Sequence, residues 1–354
     1  MIQLQGVRSR APLRLGLAGG GTDLSPFCDE YGGCVMNATV ALYAYAHLEP
    51  NPAGDIVFEA AELGARFHHK LTATVPLDPA TLLHCGVYNR IVRQYNRGEP
   101  LAVKVRTTVD VPSGSGLGGS SALTVALISA YCHYLGVPLG EYDIARLAFE
   151  IERIDLRLAG GKQDQYAAAF GGFNFMEFYD AGRVIINPLR VNRSTVLELE
   201  ASLVLCFSGQ SRSSAKVIEN QQAQVVERIE SSIEATLALK QEAVQMKEAI
   251  LTGRLNDIAG IMRRGWLAKK ATSASVSTDE IETILEIAMS NGGLAGKASG
   301  AGGGGFLLII ANPSERHRVG EALSKAGRQM LPVGFTQEPV SSWRQQLTSP
   351  RVPD

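Results

Sequence analysis

Hydrophobic residues along the chain follow two periods. Leu101, Val103, Val105, Thr107 and Val109 alternate with Ala102, Lys104, Arg106 and Thr108, which predicts a half-buried strand. Next, Ala122, Leu123, Ala126, Leu127, Ala130 and Tyr134 recur at helical spacing, so a helix begins near Gly119. Tyr142–Arg153 reads as a second helix, with Ile144, Ala148 and Ile151 on one face and Glu141, Arg146, Glu150 and Arg153 turned to solvent. Farther on, Leu197–Phe207 reads as a strand, and Phe306–Ile310 as another. Val226, Ile229, Ile233 and Leu237 predict one apolar helical face. The texture changes near Asn187-Pro188, which with a length of 354 residues predicts two domains, 1–190 and 191–354.

Between the first strand and helix lies Pro112-Ser113-Gly114-Ser115-Gly116-Leu117-Gly118-Gly119-Ser120-Ser121. Glycines let the backbone approach a ligand closely, and the helix start offers orphan N–H groups and the positive end of its dipole. These are the requirements of a phosphate site. Ser120 and Ser121 are placed to cap the helix or to reach a phosphate-bound Mg²⁺. The stretch lacks the Lys-Ser/Thr pair of a Walker loop, and Val137–Gly140 holds no carboxylate of the kind a dinucleotide fold requires. Alone, the loop fits a nucleotide site or a tight turn. Two further glycine loops accompany it: Arg10–Asp23, with Gly19-Gly20-Gly21-Thr22-Asp23, and Lys297–Phe306. Glycine costs backbone entropy on ordering, so three such loops are expected to converge on one ligand.

Charge and composition narrow the classes. A formal charge of −1 argues against a nucleic-acid or anionic-membrane partner, and 45% hydrophobic residues support a well-buried core. Cysteines at 28, 34, 85, 132 and 206 show no metal-ligand spacing and read as reduced thiols. Histidines at 47, 68, 69, 84, 133 and 317 form no ligand or triad pattern. With neither a long apolar run nor a signal-peptide pattern, the expected location is cytoplasmic.

The three motifs, in this order, resemble those of the galactokinase, homoserine kinase, mevalonate kinase and phosphomevalonate kinase (GHMP) superfamily. Within it the chain, from about Arg8 to Trp343, is similar to the bacterial D-glycero-α-D-manno-heptose 7-phosphate kinases, through Pro12–Asp23, Gly160-Gly-Lys-Gln-Asp-Gln165 and Phe170–Phe178. The resemblance implies an α+β fold. Its N-terminal mixed domain would carry the phosphate loop in a βαβ-type crossover, and its C-terminal helix-rich α/β domain would end in a small sheet. The active site would lie between them.

The substrates implied are ATP and a sugar phosphate, with Mg²⁺ as cofactor; the anomeric hydroxyl would be phosphorylated to give a 1,7-bisphosphate. Residues 112–121 would bind nucleotide. Asp164 would be the catalytic base, Arg14 the neighbouring cation, and Glu152 with Ser121 the Mg²⁺ ligands. Gly20, Gly21, Thr22, Asp23, Gly300 and Gly302 would bind substrate. Without the resemblance, Glu152 reads as a solvated helix residue, Asp164 as a loop carboxylate, Arg14 as a strand arginine, and Asp23 as the N-cap of a helix near Ser25.

An arginine at position 14 departs from the lysine of the mevalonate branch. A 7-phosphate needs cationic partners, for which Lys269-Lys270 and Lys162 are the candidates. A fucose- or galactose-type 1-kinase and a non-catalytic sugar and ATP sensor remain as alternatives. A homodimer is compatible with the sequence.

Overall fold

Two long strands near the N-terminus frame the molecule, whose computed structural model describes residues 6–209 and 215–345. β1 (Val7–Ala18) pairs antiparallel with β2 (Gly33–Pro50), the short α1 (Phe27–Tyr31) joining them. Then come β3 (Asp55–Ala60), β4 (Ala65–Lys70), α2 (Leu82–Tyr95), β5 (Val103–Val109) and α3 (Gly119–Leu135). α4 (Glu141–Phe149) runs into a π-helical turn, Glu150–Asp155, followed by α5 (Gln163–Phe170), β6 (Phe173–Phe178) and β7 (Val184–Pro188). The remainder comprises α6 (Arg193–Ser202), β8 (Leu203–Phe207), α7 (Ala215–Val226), α8 (Glu230–Leu251), α9 (Leu255–Thr272), α10 (Asp279–Ser290), β9 (Gly293–Ala298), β10 (Phe306–Ala311), α11 (Arg316–Lys325), β11 (Met330–Leu331) and β12 (Ser341–Arg344).

An eight-stranded sheet runs β12-β1-β2-β5-β3-β4, with β6 and β7 added beside the first half of β2. A four-stranded antiparallel sheet follows the order β11-β8-β10-β9. The fold is α+β, as expected. One detail differs. Among the described strands the parallel pair is β3 with β5, and its crossover through β4 and α2 precedes the glycine-rich loop instead of carrying it. After the loop, α3 lies across β1 and β2, and the next strand, β6, joins β2 antiparallel. The second sheet begins at Leu203, beyond the change of texture near residue 190, but β12 returns from the C-terminal region to pair with β1.

α3 is apolar all round and buried from Ser121 to Cys132, because the sheet covers one side and α2, α4 and α5 the others. One apolar cluster extends from there through Ala243, Met246, Ile258 and Ile261 of α8 and α9 to Leu205 and Leu308 of the second sheet. That sheet's other face packs Val204, Cys206, Leu307 and Ile309 against α10 and α11. Both sheets are thereby tied to a shared core.

Two sequence expectations are corrected. Residues 197–202 belong to α6, so the strand is shorter, Leu203–Phe207. The stripe Val226, Ile229, Ile233 and Leu237 is not one helical face. The chain turns between α7 and α8, with Arg228 at φ 54°, so one register cannot cross the break. Val226 is 69% exposed, and the buried stripe of α8 is Ala235, Leu239, Ala243, Met246 and Ile250. No helix among the described residues is long and apolar enough to cross a membrane.

Candidate active site

The three glycine loops are bonded to one another. Arg14 of β1 donates its backbone N–H to the Leu117 carbonyl (3.0 Å) and Nη1 to the Gly116 carbonyl (2.6 Å). Ser299 Oγ donates to the same Gly116 oxygen (3.0 Å), and Phe306 N–H to the Ser115 carbonyl (2.8 Å). Gly116 sits at φ 76°, where an added Cβ would stand 2.6 Å from the Ser299 carbonyl oxygen. Glycine there serves the close approach of two backbones as well as any ligand.

The loops border a cleft of about 610 Å³. Pro112, Ser113, Gly114, Ser115, Gly116, Gly118, Gly119, Ser120 and Ser121 line it, as do Gly21, Asp23 and Gly300. Four expected site residues stand elsewhere. Leu117 is wholly buried in the core. Thr22 is fully buried and donates to the Gly19 carbonyl, with Cys34 O also in range, fastening β1 to β2. Gly20 lies behind the cleft, and Gly302 packs on Val276, whose carbonyl oxygen would be 2.5 Å from an added Cβ. Their role is to shape the loops.

Asp164 is not in a loop but in the first turn of α5, with its side chain 24% exposed at the cleft. Arg14 Nε and Nη2 both approach its Oδ1, at 2.8 and 2.7 Å. Among the described residues no donor occupies Oδ2. Arg14 itself is 4% exposed, so the alternative of a strand arginine facing water does not hold.

Asp23 explains how α5 is held. Its Oδ2 accepts from the backbone N–H of Lys162 (2.9 Å) and Gln163 (3.1 Å), and its Oδ1 from Gln163 Nε2 (3.1 Å) and Gly21 N (3.2 Å). These donors fill the four acceptor sites of the carboxylate. Asp23 therefore caps α5 from the turn after β1, distant in sequence, whereas the local helix α1 has no side-chain cap. A direct bond to a sugar hydroxyl would have to displace one of those donors.

Glu152 is 1% exposed, not solvated. Its Oε2 accepts from Ser121 Oγ (2.9 Å) and Gln165 Nε2 (2.9 Å), while Arg153 Nη1 stands 3.2 Å away. Burial pushes its carboxyl above the ordinary value, and Arg153 partly offsets that. Glu152 Oε1 and Gln165 Oε1 are buried without a partner among the described residues. Unpaired buried acceptors suit a hard cation with oxygen ligands. With no cluster of three His, Cys, Asp or Glu among the described residues, such a cation would need phosphate and water as further ligands.

The cations sort clearly. Lys270 Nζ is paired with Glu282 (3.0 Å), and Lys162 Nζ faces Asp29 (3.5 Å) and Cys28 Sγ (3.5 Å). Lys269 lines the cleft and bonds the Gly20 carbonyl (2.8 Å). Burial lowers its pKa to about 8, with Asp23 pulling the other way. Lys297, missed by the sequence reading, donates to the Gly16 carbonyl (2.7 Å), and burial with Lys269 and Arg14 lowers its pKa to about 7. It opens the third motif, the one signal that could have flagged it.

Comparisons with known proteins bear on the family. Residues 80–172 match the family of GHMP kinases N terminal domains and residues 246–329 that of GHMP kinases C terminal domains. D-glycero-α-D-manno-heptose 7-phosphate kinase of Campylobacter jejuni is 44% identical over 96% of this chain and 99% of its own length. A crystal structure named as a D-glycero-D-manno-heptose 1-phosphate kinase, from Bacteroides thetaiotaomicron, superposes with TM-score 0.82 at 40% identity, covering 96% of this chain and 99% of that one. The bifunctional fucokinase/GDP-fucose pyrophosphorylase of Arabidopsis thaliana is more distant, at 26% identity over 86% of this chain and 30% of its own. With the glycine loop at a helix start, the Arg14–Asp164 pair beside it and these matches along both halves, the chain belongs to the GHMP kinase family.

Proposed function

We propose that this ATP-dependent kinase phosphorylates the anomeric hydroxyl of D-glycero-α-D-manno-heptose 7-phosphate to give the 1,7-bisphosphate, and does so in the cytoplasm. The observation that carries this reading is a carboxylate and a buried cation lining one cleft: Asp164 held by Arg14, and Lys269 at the Gly20–Gly21 loop. The loop N–H groups and the start of α3 would cradle the nucleotide phosphates. Asp164 Oδ2 would accept the proton of the attacking hydroxyl, while Arg14 would offset charge on the transferring group. Lys269 would receive the distal phosphate of the sugar, since a desolvated dianion needs a cationic partner. Glu152 and Ser121 would hold Mg²⁺, which when bound neutralises charge on the phosphate oxygens. A sensor without turnover would need neither Asp164 nor Glu152 in the cleft.

Substrate choice is tested by steady-state kinetics with heptose 7-phosphate, free heptose, heptose 1-phosphate, fucose and galactose. The 7-phosphate is expected to be preferred over free heptose by more than about 10-fold in kcat/KM, the scale of one charge-assisted hydrogen bond. Equal values would move the chain to the free-sugar branch. For the metal, Glu152→Gln is expected to raise the half-saturating Mg²⁺ concentration on the order of 10-fold, since the ligand keeps an oxygen but loses its charge. A titration that overlays the parent's would remove Glu152 from the metal site.

A further inference from the structure

Glu152 reaches Ser121 from a π-helical turn, Glu150–Asp155, and not from a continuation of α4. Leu156 N–H bonds the Ile151 carbonyl (2.9 Å) and Leu158 N–H the Glu152 carbonyl (2.8 Å), reaches of five and six residues where an α-helix has four. Such wide turns are rare, occur singly, and concentrate at functional sites.

A buried arginine on α2 grips both ends of this one. Arg90 is 9% exposed. Its Nε and Nη2 donate to Asp155 Oδ2 and Oδ1, each at 2.7 Å, and its Nη1 to Glu150 Oε2 at 2.8 Å. Glu150 and Asp155 are five residues apart. At 3.6 residues per turn of α-helix, that spacing puts side chains about 140° apart around the axis. The wider i to i+5 turn advances less per residue, which brings the two side chains to the same side of the axis. A rigid, planar guanidinium can reach both carboxylates in the second register and is poorly placed to do so in the first. Among the described residues no other basic group makes a comparable bridge: Arg146 pairs with Glu150 alone from a side chain 76% exposed, and Arg93 lies 4.0 Å from Asp155 at 69% exposed.

We propose that Arg90 is a positioning residue for the metal-binding carboxylate: by bridging Glu150 and Asp155 it fixes the wide register of the turn and so aims Glu152 at Ser121. This rests on the reading of Glu152 as the Mg²⁺ ligand. Arg90 itself touches neither substrate nor metal; it does not line the cleft.

The test compares Arg90→Met, Arg90→Lys and Arg146→Met with the parent and with Glu152→Gln. Without metal or nucleotide, amide hydrogen exchange across residues 150–158 is expected to accelerate in Arg90→Met and to stay at the parent level in Arg146→Met. In activity titrations Arg90→Met is expected to raise half-saturating Mg²⁺ about 10-fold, the scale on which losing the groups that orient a metal ligand acts, with sugar KM at saturating Mg²⁺ unchanged. Arg90→Lys keeps the charge without the fork, so it should shift in the same direction, and it serves if Arg90→Met fails to fold. Parent-like exchange and parent-like Mg²⁺ dependence in the Arg90 variants, with Glu152→Gln shifted, would overturn the proposal alone. If Glu152→Gln does not shift either, the metal reading fails and the proposal falls with it.

Discussion

Asp164→Asn is expected to lower kcat by about 10²–10⁴-fold, the usual span for a positioned proton acceptor, while leaving ATP affinity nearly intact. The substitution is close to isosteric, so the amide oxygen can still accept from Arg14 where Oδ1 does now, at 2.8 Å. What it removes is the basicity of Oδ2, which has no donor among the described residues. The neighbouring carboxylates Asp23 and Glu152 are already engaged. Asp23 has its acceptor sites filled by the start of α5, and Glu152 is buried against Ser121 and Gln165. The loop at 112–121, proposed to cradle the nucleotide, is left alone by the substitution. Steady-state turnover, with nucleotide affinity measured separately, checks this; turnover within a few-fold of the parent would remove Asp164 from the role of base.

Lys269→Met is expected to lower kcat/KM for the phosphorylated sugar by about 10- to 150-fold, equivalent to roughly 1.5–3 kcal/mol for one charge-assisted hydrogen bond, with little change in KM for ATP. Methionine keeps the length and apolar stem of a side chain that is 7% exposed, so the comparison isolates the ammonium. An equal loss with free heptose would show that the lysine supports the fold of the Gly20–Gly21 loop instead of reading a phosphate. The pH dependence gives a second check. Because burial lowers the Lys269 pKa to about 8, kcat/KM for the phosphorylated sugar should fall as pH rises through 8. The stability contribution runs the other way. In the unfolded chain the lysine keeps its ordinary 10.5, so between about 8 and 10.5 the unfolded state binds more protons and this group makes the fold more stable as pH rises. Loss of activity in that window would therefore not be loss of structure at this residue.

Much of the site was legible in the sequence because its parts are local. A strand, a run of glycines and an apolar helix are neighbours in the chain, so period and turn chemistry were enough to place Gly119 at the start of α3 and the cradle before it. Asp164 and Glu152 followed from resemblance to a family, yet their surroundings did not. Sequence alone offered Glu152 as a solvated residue of an α-helix, because a period of 3.6 carries no sign of a π turn whose register is set by an arginine on another helix. Asp23 offered a sugar contact or a local cap. Its actual partners are the N–H groups at the start of α5, brought there by the packing of β1. The lysines show the same division. Lys162, Lys269 and Lys270 are equivalent as letters, and only the tertiary structure hands Lys270 to Glu282 and Lys162 to Asp29 while placing Lys269 in the cleft. The sequence by itself determined the strand, glycine loop and helix across residues 101–134, the three loops and the chemical inventory, since these depend on neighbours along the chain. Which charged groups are paired, which are buried, and which face one another across the cleft was decided by tertiary packing, because electrostatics and desolvation depend on distances that chain order does not record.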